Sequence, residues 1–203
     1  MDSKKFNPEK LQMLNDPQRL VDIPPDYIIG KLNTAAPEVL VDIGAGTAFF
    51  SIAFTERLNN AKVYACDTSD VMIDWIKENV SPVHPEVIPV KNEENSIPLE
   101  DGISDLVYMI NMHHELENPL SMLEEAHRLL KPGGKIVIVD WRKTDMPEGP
   151  PTAIRYLPEK VREQMIETGF VEVNIFDELP KHFMVTGEKG SAGTLVHLPN
   201  AIS

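Results

Sequence analysis

The chain has 203 residues with 32 acidic against 19 basic side chains, a formal charge of −13, and that balance opposes a protein that grips phosphate backbones. One cysteine, Cys66, excludes an internal disulfide and any multi-thiolate metal site. The length suits one domain, or one domain plus a short appendage, and 42% hydrophobic with 25% charged residues is a globular profile. No apolar run approaches the ~20 residues of a membrane span, and no signal-peptide core follows Met1, so the expected setting is soluble and cytoplasmic.

Residues 1–35 are amphipathic, proline-punctuated and outside any strand pattern; they are expected to form an N-terminal helical segment, a possible lid. A short continuous apolar run, Val39-Leu40-Val41, reads as a buried strand, followed by helical spacing of Phe50, Ala53, Phe54 and Leu58 over 47–58. Val63-Tyr64-Ala65-Cys66 is a second strand and 70–79 a second helix, with Val71, Met72, Trp75 and Ile76 on its apolar face. Val87-Ile88-Pro89-Val90 is a weaker strand; its proline cannot donate to a ladder and places it at a sheet edge. Leu106–Ile110 and Ile136–Val139 are further buried strands, separated by a helix over 119–130. That helix is punctuated by Asn118 as cap, Pro119 at the first position and a Lys131-Pro132-Gly133-Gly134 stop.

The C-terminal part changes style. A helix over about 158–168 ends before Gly169. Val171, Val173 and Ile175 then alternate with polar residues, and a short link leads to His182-Phe183-Met184-Val185. A link that short permits only an antiparallel pair. The expected fold is α/β: a doubly wound, mostly parallel seven-stranded sheet ending in an antiparallel hairpin, over residues 36–186. Residues 187–203 read as a loose tail.

The sharpest feature is Val39-Leu40-Val41-Asp42-Ile43-Gly44-Ala45-Gly46-Thr47-Ala48-Phe49, a buried strand running into a glycine turn and a helix. Glycines let backbone approach a ligand, and the N–H groups of the Ala45–Thr47 turn suit an anionic part of it. Asp67, ending the next strand, can accept both hydroxyls of a ribose; Thr68 follows it, and Met72 can pack on a base. A nicotinamide dinucleotide fold wants a glycine where this chain has Phe49, which counts against an oxidoreductase.

The pattern resembles the seven-strand class I methyltransferases that use S-adenosylmethionine. Their first motif, acid-x-Gly-x-Gly-x-Gly, is matched by Asp42, Gly44 and Gly46, with Ala48 at the third glycine. The resemblance runs over about residues 36–186, through Glu93-Glu94 before Ile97-Pro98-Leu99 and through His113-His114-Glu115-Leu116. It is strongest to small methyltransferases related to the ubiquinone/menaquinone C-methylases. It implies S-adenosyl-L-methionine as cofactor, the position of Glu93 at the adenine amino group and the backbone of Glu94 at the ring. Within the family Glu93 replaces an aspartate.

The acceptor should sit beyond the strand ends, where Asn111, His113, His114 and Asp140 fall. His114 is the first choice for a base, since imidazole titrates near neutrality, with His113 and Asp140 as further catalytic candidates. No spacing supports a metal. The expected partner is a small-molecule methyl acceptor, with no nucleic acid and no membrane. The competing readings are a non-catalytic cofactor-fold interaction or sensing module and, behind it, an NAD(P)-dependent oxidoreductase.

Overall fold

Strands form where continuous β-branched runs can be covered on both faces, and helices where the apolar spacing is helical. The computed structural model describes residues 8–33, 36–59 and 61–190; most of the expected tail and residues 1–7 lie outside them. Three short helices come first, α1 (Pro8–Leu14), α2 (Gln18–Asp22) and α3 (Pro25–Lys31). There follow β1 (Val39–Ile43), α4 (Phe49–Arg57), β2 (Lys62–Asp67), α5 (Asp70–Trp75) with a wider turn over Ile76–Val80, β3 (Val87–Lys91) and β4 (Ser104–Ile110). The chain closes with α6 (Pro119–Leu129), β5 (Leu130–Trp141), α7 (Pro158–Glu167), β6 (Phe170–Phe176) and β7 (His182–Lys189).

The seven strands order as β3-β2-β1-β4-β5-β7-β6. Pairing is parallel from β3 to β5 and antiparallel for β5–β7 and β6–β7. Pro89 lies on the edge strand, opposite Ala65 of β2. The chain builds outward from β1 through β2 to β3, then returns to place β4 on the other side of β1. That reversal opens a crevice at the carboxyl ends of β1 and β4, the usual ligand position in such a sheet.

The expectation of a loose tail from 187 is corrected, because residues 187–189 continue β7 and pair with β5 and β6, and two smaller details also differ. α6 is capped by Asn118, whose Oδ1 accepts from Ser121 N at 3.2 Å, but Lys131–Gly134 is not a separate turn. It is the bulged start of β5, and the β4–β5 register shifts between Ser104 and Leu106. α4 starts at Phe49 rather than 47, because Thr47 and Ala48 belong to the loop.

The sheet separates two apolar layers. Val41, Ile43, Val107, Met109, Ile136 and Ile138 pack against Met122, Leu123, Ala126 and Leu129 of α6 and Val161 and Met165 of α7. On the other face Leu40, Leu106, Tyr108, Val137 and Met184 pack against Phe50 and Phe54 of α4 and Ile23, Ile28 and Leu32 of the N-terminal segment. The N-terminal helices are thus a covering layer of the sheet. Lys181 to Asp22 (2.9 Å) and Lys31 to Glu178 (2.8 Å) tie them to the β6–β7 link.

Candidate functional site

The glycine loop leaves β1 at the switch point. Its alternating positions Gly44, Gly46 and Ala48 all take left-handed backbone, with φ of +75°, +56° and +62°. Two are glycines for which this region is open. Ala48 holds it as a fully buried L-residue beside Ala65, Ile76, Val80 and Val87, where the conformation costs roughly 1–2 kcal/mol and the buried methyl recovers part of it.

Two of the donors expected of this turn, those of Ala45 and Gly46, are committed within the protein. Ala45 N donates to Cys66 O (2.9 Å) and Gly46 N to Asp67 Oδ2 (2.8 Å). Asp67 Oδ1 accepts from Ser69 N (2.8 Å). Asp67, expected as a ribose acceptor, is also the clamp between the loop and the β2–α5 turn.

Asp42 is 3% exposed and takes a hydrogen bond from Ser51 Oγ at 2.6 Å. Burial pushes its carboxyl up from 3.8 to about 7, against the pull of Ser51, Tyr108 and the Arg19 guanidinium. It stands opposite Tyr108 in the β1–β4 register. A cation bound nearby would pull that carboxyl back toward its ionised form.

Unpartnered buried atoms collect at the same end of the sheet. Thr47 Oγ1, Asn92 Oδ1 and Asn111 Oδ1 are buried without a hydrogen-bond partner among the described residues. Buried polar atoms are nearly always bonded, so such a group at a crevice suits a polar ligand. Asn92 was not singled out by the sequence reading. The signal available was an amide directly after β3; its backbone N–H donates to Asp67 O at 3.3 Å. Of the other expected contacts, Met72 is buried in the first turn of α5. Thr68 is exposed beside Asp67 and takes Lys91 Nζ on its carbonyl (2.6 Å). Glu93 and Glu94 are exposed after β3, where Glu93 pairs with Ser96. Asn111, at φ +55°, ends β4 with its N–H on Val139 O (2.8 Å).

The acceptor side is built from the ends of β4 and β5. His114 Nδ1 meets Asp140 Oδ1 at 2.7 Å, and its backbone N–H donates to Asp140 Oδ2 at 2.9 Å. Trp141 N donates to Asp140 Oδ1 as well (2.7 Å). Burial lowers the His114 pKa, but the bond and charge of Asp140 outweigh it and the net shift is upward. His113 faces elsewhere: buried, its Nε2 bonded to Gln164 Oε1 of α7 at 2.9 Å and its ring edge-on to Tyr156. Burial holds it below the ordinary imidazole value. The geometry gives His113 a packing position and His114 the cleft.

That cleft, about 550 Å³, is lined by His114, Lys143, Ala153, Ile154, Arg155, Tyr156, Leu157 and Lys160. Arg155, absent from the sequence-level candidates, fixes its wall. Only 3% exposed, its guanidinium donates to the carbonyls of Pro150 (2.8 Å), Arg142 (3.1 Å), Thr144 (3.0 Å) and Glu148 (2.8 Å). A lone arginine in a loop carries no sequence signal for that role. Among the described residues no group of three or more His, Cys, Asp or Glu is placed to hold a metal, and no helix is long and apolar enough to cross a membrane.

A doubly wound sheet of this strand order, with a glycine loop at the switch point and an acid at the end of β2, defines a Rossmann-like class that binds a nucleoside cofactor. Comparison with known proteins narrows the class. The methyltransferase domain family matches residues 41–138. A S-adenosylmethionine-dependent methyltransferase of known structure from Aquifex aeolicus is 30% identical, with a TM-score of 0.82 over 91% of this chain and 100% of that one. A demethylmenaquinone methyltransferase of Staphylococcus epidermidis is 25% identical over 60% of this chain and 50% of its own length. A tRNA N(3)-cytidine methyltransferase of Gallus gallus is 30% identical over 71% of this chain and 39% of its own. The chain therefore spans half or less of the length of these two curated relatives. It belongs to the class I S-adenosylmethionine-dependent methyltransferases.

Proposed function

We propose that the protein transfers a methyl group from S-adenosylmethionine to a small-molecule acceptor whose reacting atom arrives protonated. The observation that carries this reading is the His114–Asp140 pair at the head of a cleft beyond the ends of β4 and β5. Met112, two residues before His114, touches the glycine loop at Gly44, so cofactor loop and base lie on one connected surface.

The residues at the switch point suit the cofactor. Asp42 would hold its ammonium and Asp67 its ribose, and the oxygens of Thr47, Asn92 and Asn111 would take polar groups along it. Glu93, Glu94, Thr68 and Met72 border the adenine end. When bound, S-adenosylmethionine supplies an electrophilic methyl carbon on a sulfonium. Asp140 holds the imidazole by Nδ1, so the neutral ring carries its proton there and offers Nε2 to the acceptor's proton. Ile154, Tyr156 and Leu157 give the cleft an apolar side for the acceptor to pack on.

A charge of −13 disfavours a polyanionic acceptor, which supports a small molecule over RNA although one relative methylates tRNA. Residues 8–33 act as a cover on the sheet face. The test is calorimetric titration of S-adenosylhomocysteine, followed by methyl transfer to a panel of phenols, acids, thiols, amines and activated carbons, with a structured RNA as control. Micromolar binding and turnover of one small-molecule class support the reading. Turnover of RNA alone, or binding with no turnover across the panel, overturns it in favour of a nucleic-acid enzyme or a binding module.

A further inference from the structure

The glycine loop presents a deficit. A bound S-adenosyl amino acid brings a carboxylate to this turn, yet Ala45 N and Gly46 N are already given to Cys66 O and Asp67 Oδ2. The acid at the site, Asp42, repels a carboxylate. A positive side chain at the loop would supply the charge that those two donors do not.

One stands at the loop. The α1–α2 segment lies over the glycines: a Cβ built on Gly46 would be 3.6 Å from Leu14 Cδ1. Arg19, on the next helix, reaches in from there. Its guanidinium lies 4.8 Å from the Phe50 ring centre and 5.6 Å from that of Phe49, the first two residues of α4. Among the described residues its one side-chain hydrogen bond goes to Leu14 O, and none of their carboxylates forms an ion pair with it. Asp42 is close enough to feel its charge. A half-buried guanidinium stacked on aromatics, with no acid bound, keeps most of its donors for an anion. The Thr47 hydroxyl, buried and unpartnered just before α4, lies on the same loop.

We propose that Arg19 receives the carboxylate of the cofactor's amino-acid end, so that the N-terminal segment completes the cofactor site and Asp42 and Arg19 together read the zwitterion. Asp42 takes the ammonium and Arg19 the carboxylate. The ion pairs Lys181–Asp22 and Lys31–Glu178 hold α2 and α3 on the sheet and thereby fix where Arg19 points. The inference rests on the cofactor reading above.

The test is a cycle of two ligands and three proteins. S-adenosylhomocysteine and its decarboxylated analogue, which keeps the ammonium and lacks only the carboxylate, are titrated into wild type, Arg19→Met and Arg19→Lys. Arg19→Met should weaken S-adenosylhomocysteine about 10- to 100-fold, the range of a lost charged hydrogen-bond pair. It should leave the decarboxylated analogue unchanged or tighter, since a nearby cation is removed. Arg19→Lys should recover part of the loss. Equal weakening of both ligands would show that Arg19 only supports the fold of the cover, and no change in either would place the carboxylate elsewhere; both results overturn the proposal. If Arg19→Met fails to fold, the same comparison in Arg19→Lys decides, because lysine keeps the charge and loses the planar fork. Wild type binding neither ligand sinks the cofactor reading itself, a result distinct from any pattern confined to the variants.

Discussion

The side chain of Met112 occupies the space that a side chain on Gly44 would need: a Cβ there would stand 2.6 Å from Met112 Cγ and 2.7 Å from its sulfur. Gly44 is thus required twice, for its φ of +75° and for the methionine that crosses over it from the end of β4. Gly44→Ala is expected to destabilise by about 2–4 kcal/mol, the sum of left-handed strain and overpacking. Gly44→Ala with Met112→Ala should recover the packing part and retain the strain. Denaturant melts of the four proteins measure this; additive losses would show that the two residues are independent.

Asp42 links stability to pH. Its folded carboxyl sits near 7 against 3.8 when unfolded, so the folded state holds the extra proton between those values. The stabilising contribution of the neutral form is complete below about pH 4 and is lost as pH rises through 7. Asp42→Asn keeps an acceptor for Ser51 and carries no charge. Its melting temperature should gain on wild type by more at pH 8 than at pH 4, while its affinity for S-adenosylhomocysteine falls. Because a bound ammonium draws Asp42 toward ionisation, binding to wild type near pH 7 should release protons. Calorimetry in phosphate and Tris buffers reads that release, which Asp42→Asn should lack.

Asp67 holds the loop and is proposed to receive the ribose. Asp67→Ala leaves Gly46 N and Ser69 N without their acceptor. Cofactor affinity should fall by about 1–3 kcal/mol. Unchanged binding of S-adenosylhomocysteine in this variant would place the ribose elsewhere.

The His114–Asp140 bond sets the pH profile of methyl transfer. A base must be neutral, so activity should rise as pH passes the His114 pKa, which Asp140 holds above its ordinary value. Asp140→Asn removes that charge, and the acid limb of kcat/KM should move to lower pH. His114→Gln should lower kcat by roughly 10²–10⁴ with cofactor affinity nearly unchanged. A profile that ignores both substitutions would remove His114 from proton transfer.

Arg155 ties four carbonyls of one loop to the start of α7. Arg155→Lys keeps a charge but loses the fork that reaches all four. The acceptor KM should rise several-fold with cofactor affinity held, and the loop should become the first site of limited proteolysis. A rise in cofactor Kd instead would mean that the loop supports both halves of the site.

The strand–helix alternation, the edge position of β3 and the antiparallel finish were legible in the sequence because each rests on local physics. Period, proline and link length act within a few residues of where they are read. Two of the loop's three left-handed positions were marked the same way, by Gly44 and Gly46, and the third, Ala48, only by its place in the motif that the chain resembles.

What local rules could not contain are relations between distant segments. Adjacent His113 and His114 look alike in sequence. Only the approach of α7 and of β5 gives one to Gln164 and the other to Asp140. The glycine turn promised free donors, and the packing of β2 against β1 consumed two of them. Arg19 and Arg155 carried no signal at all, since a guanidinium takes its role from whichever carbonyls, rings or anions the folded chain brings within reach. The sequence by itself determined the fold and the end of the sheet where the cofactor loop lies. The tertiary structure decided which side chains face that loop, because burial and hydrogen bonding depend on contacts across 20 to 160 residues of chain.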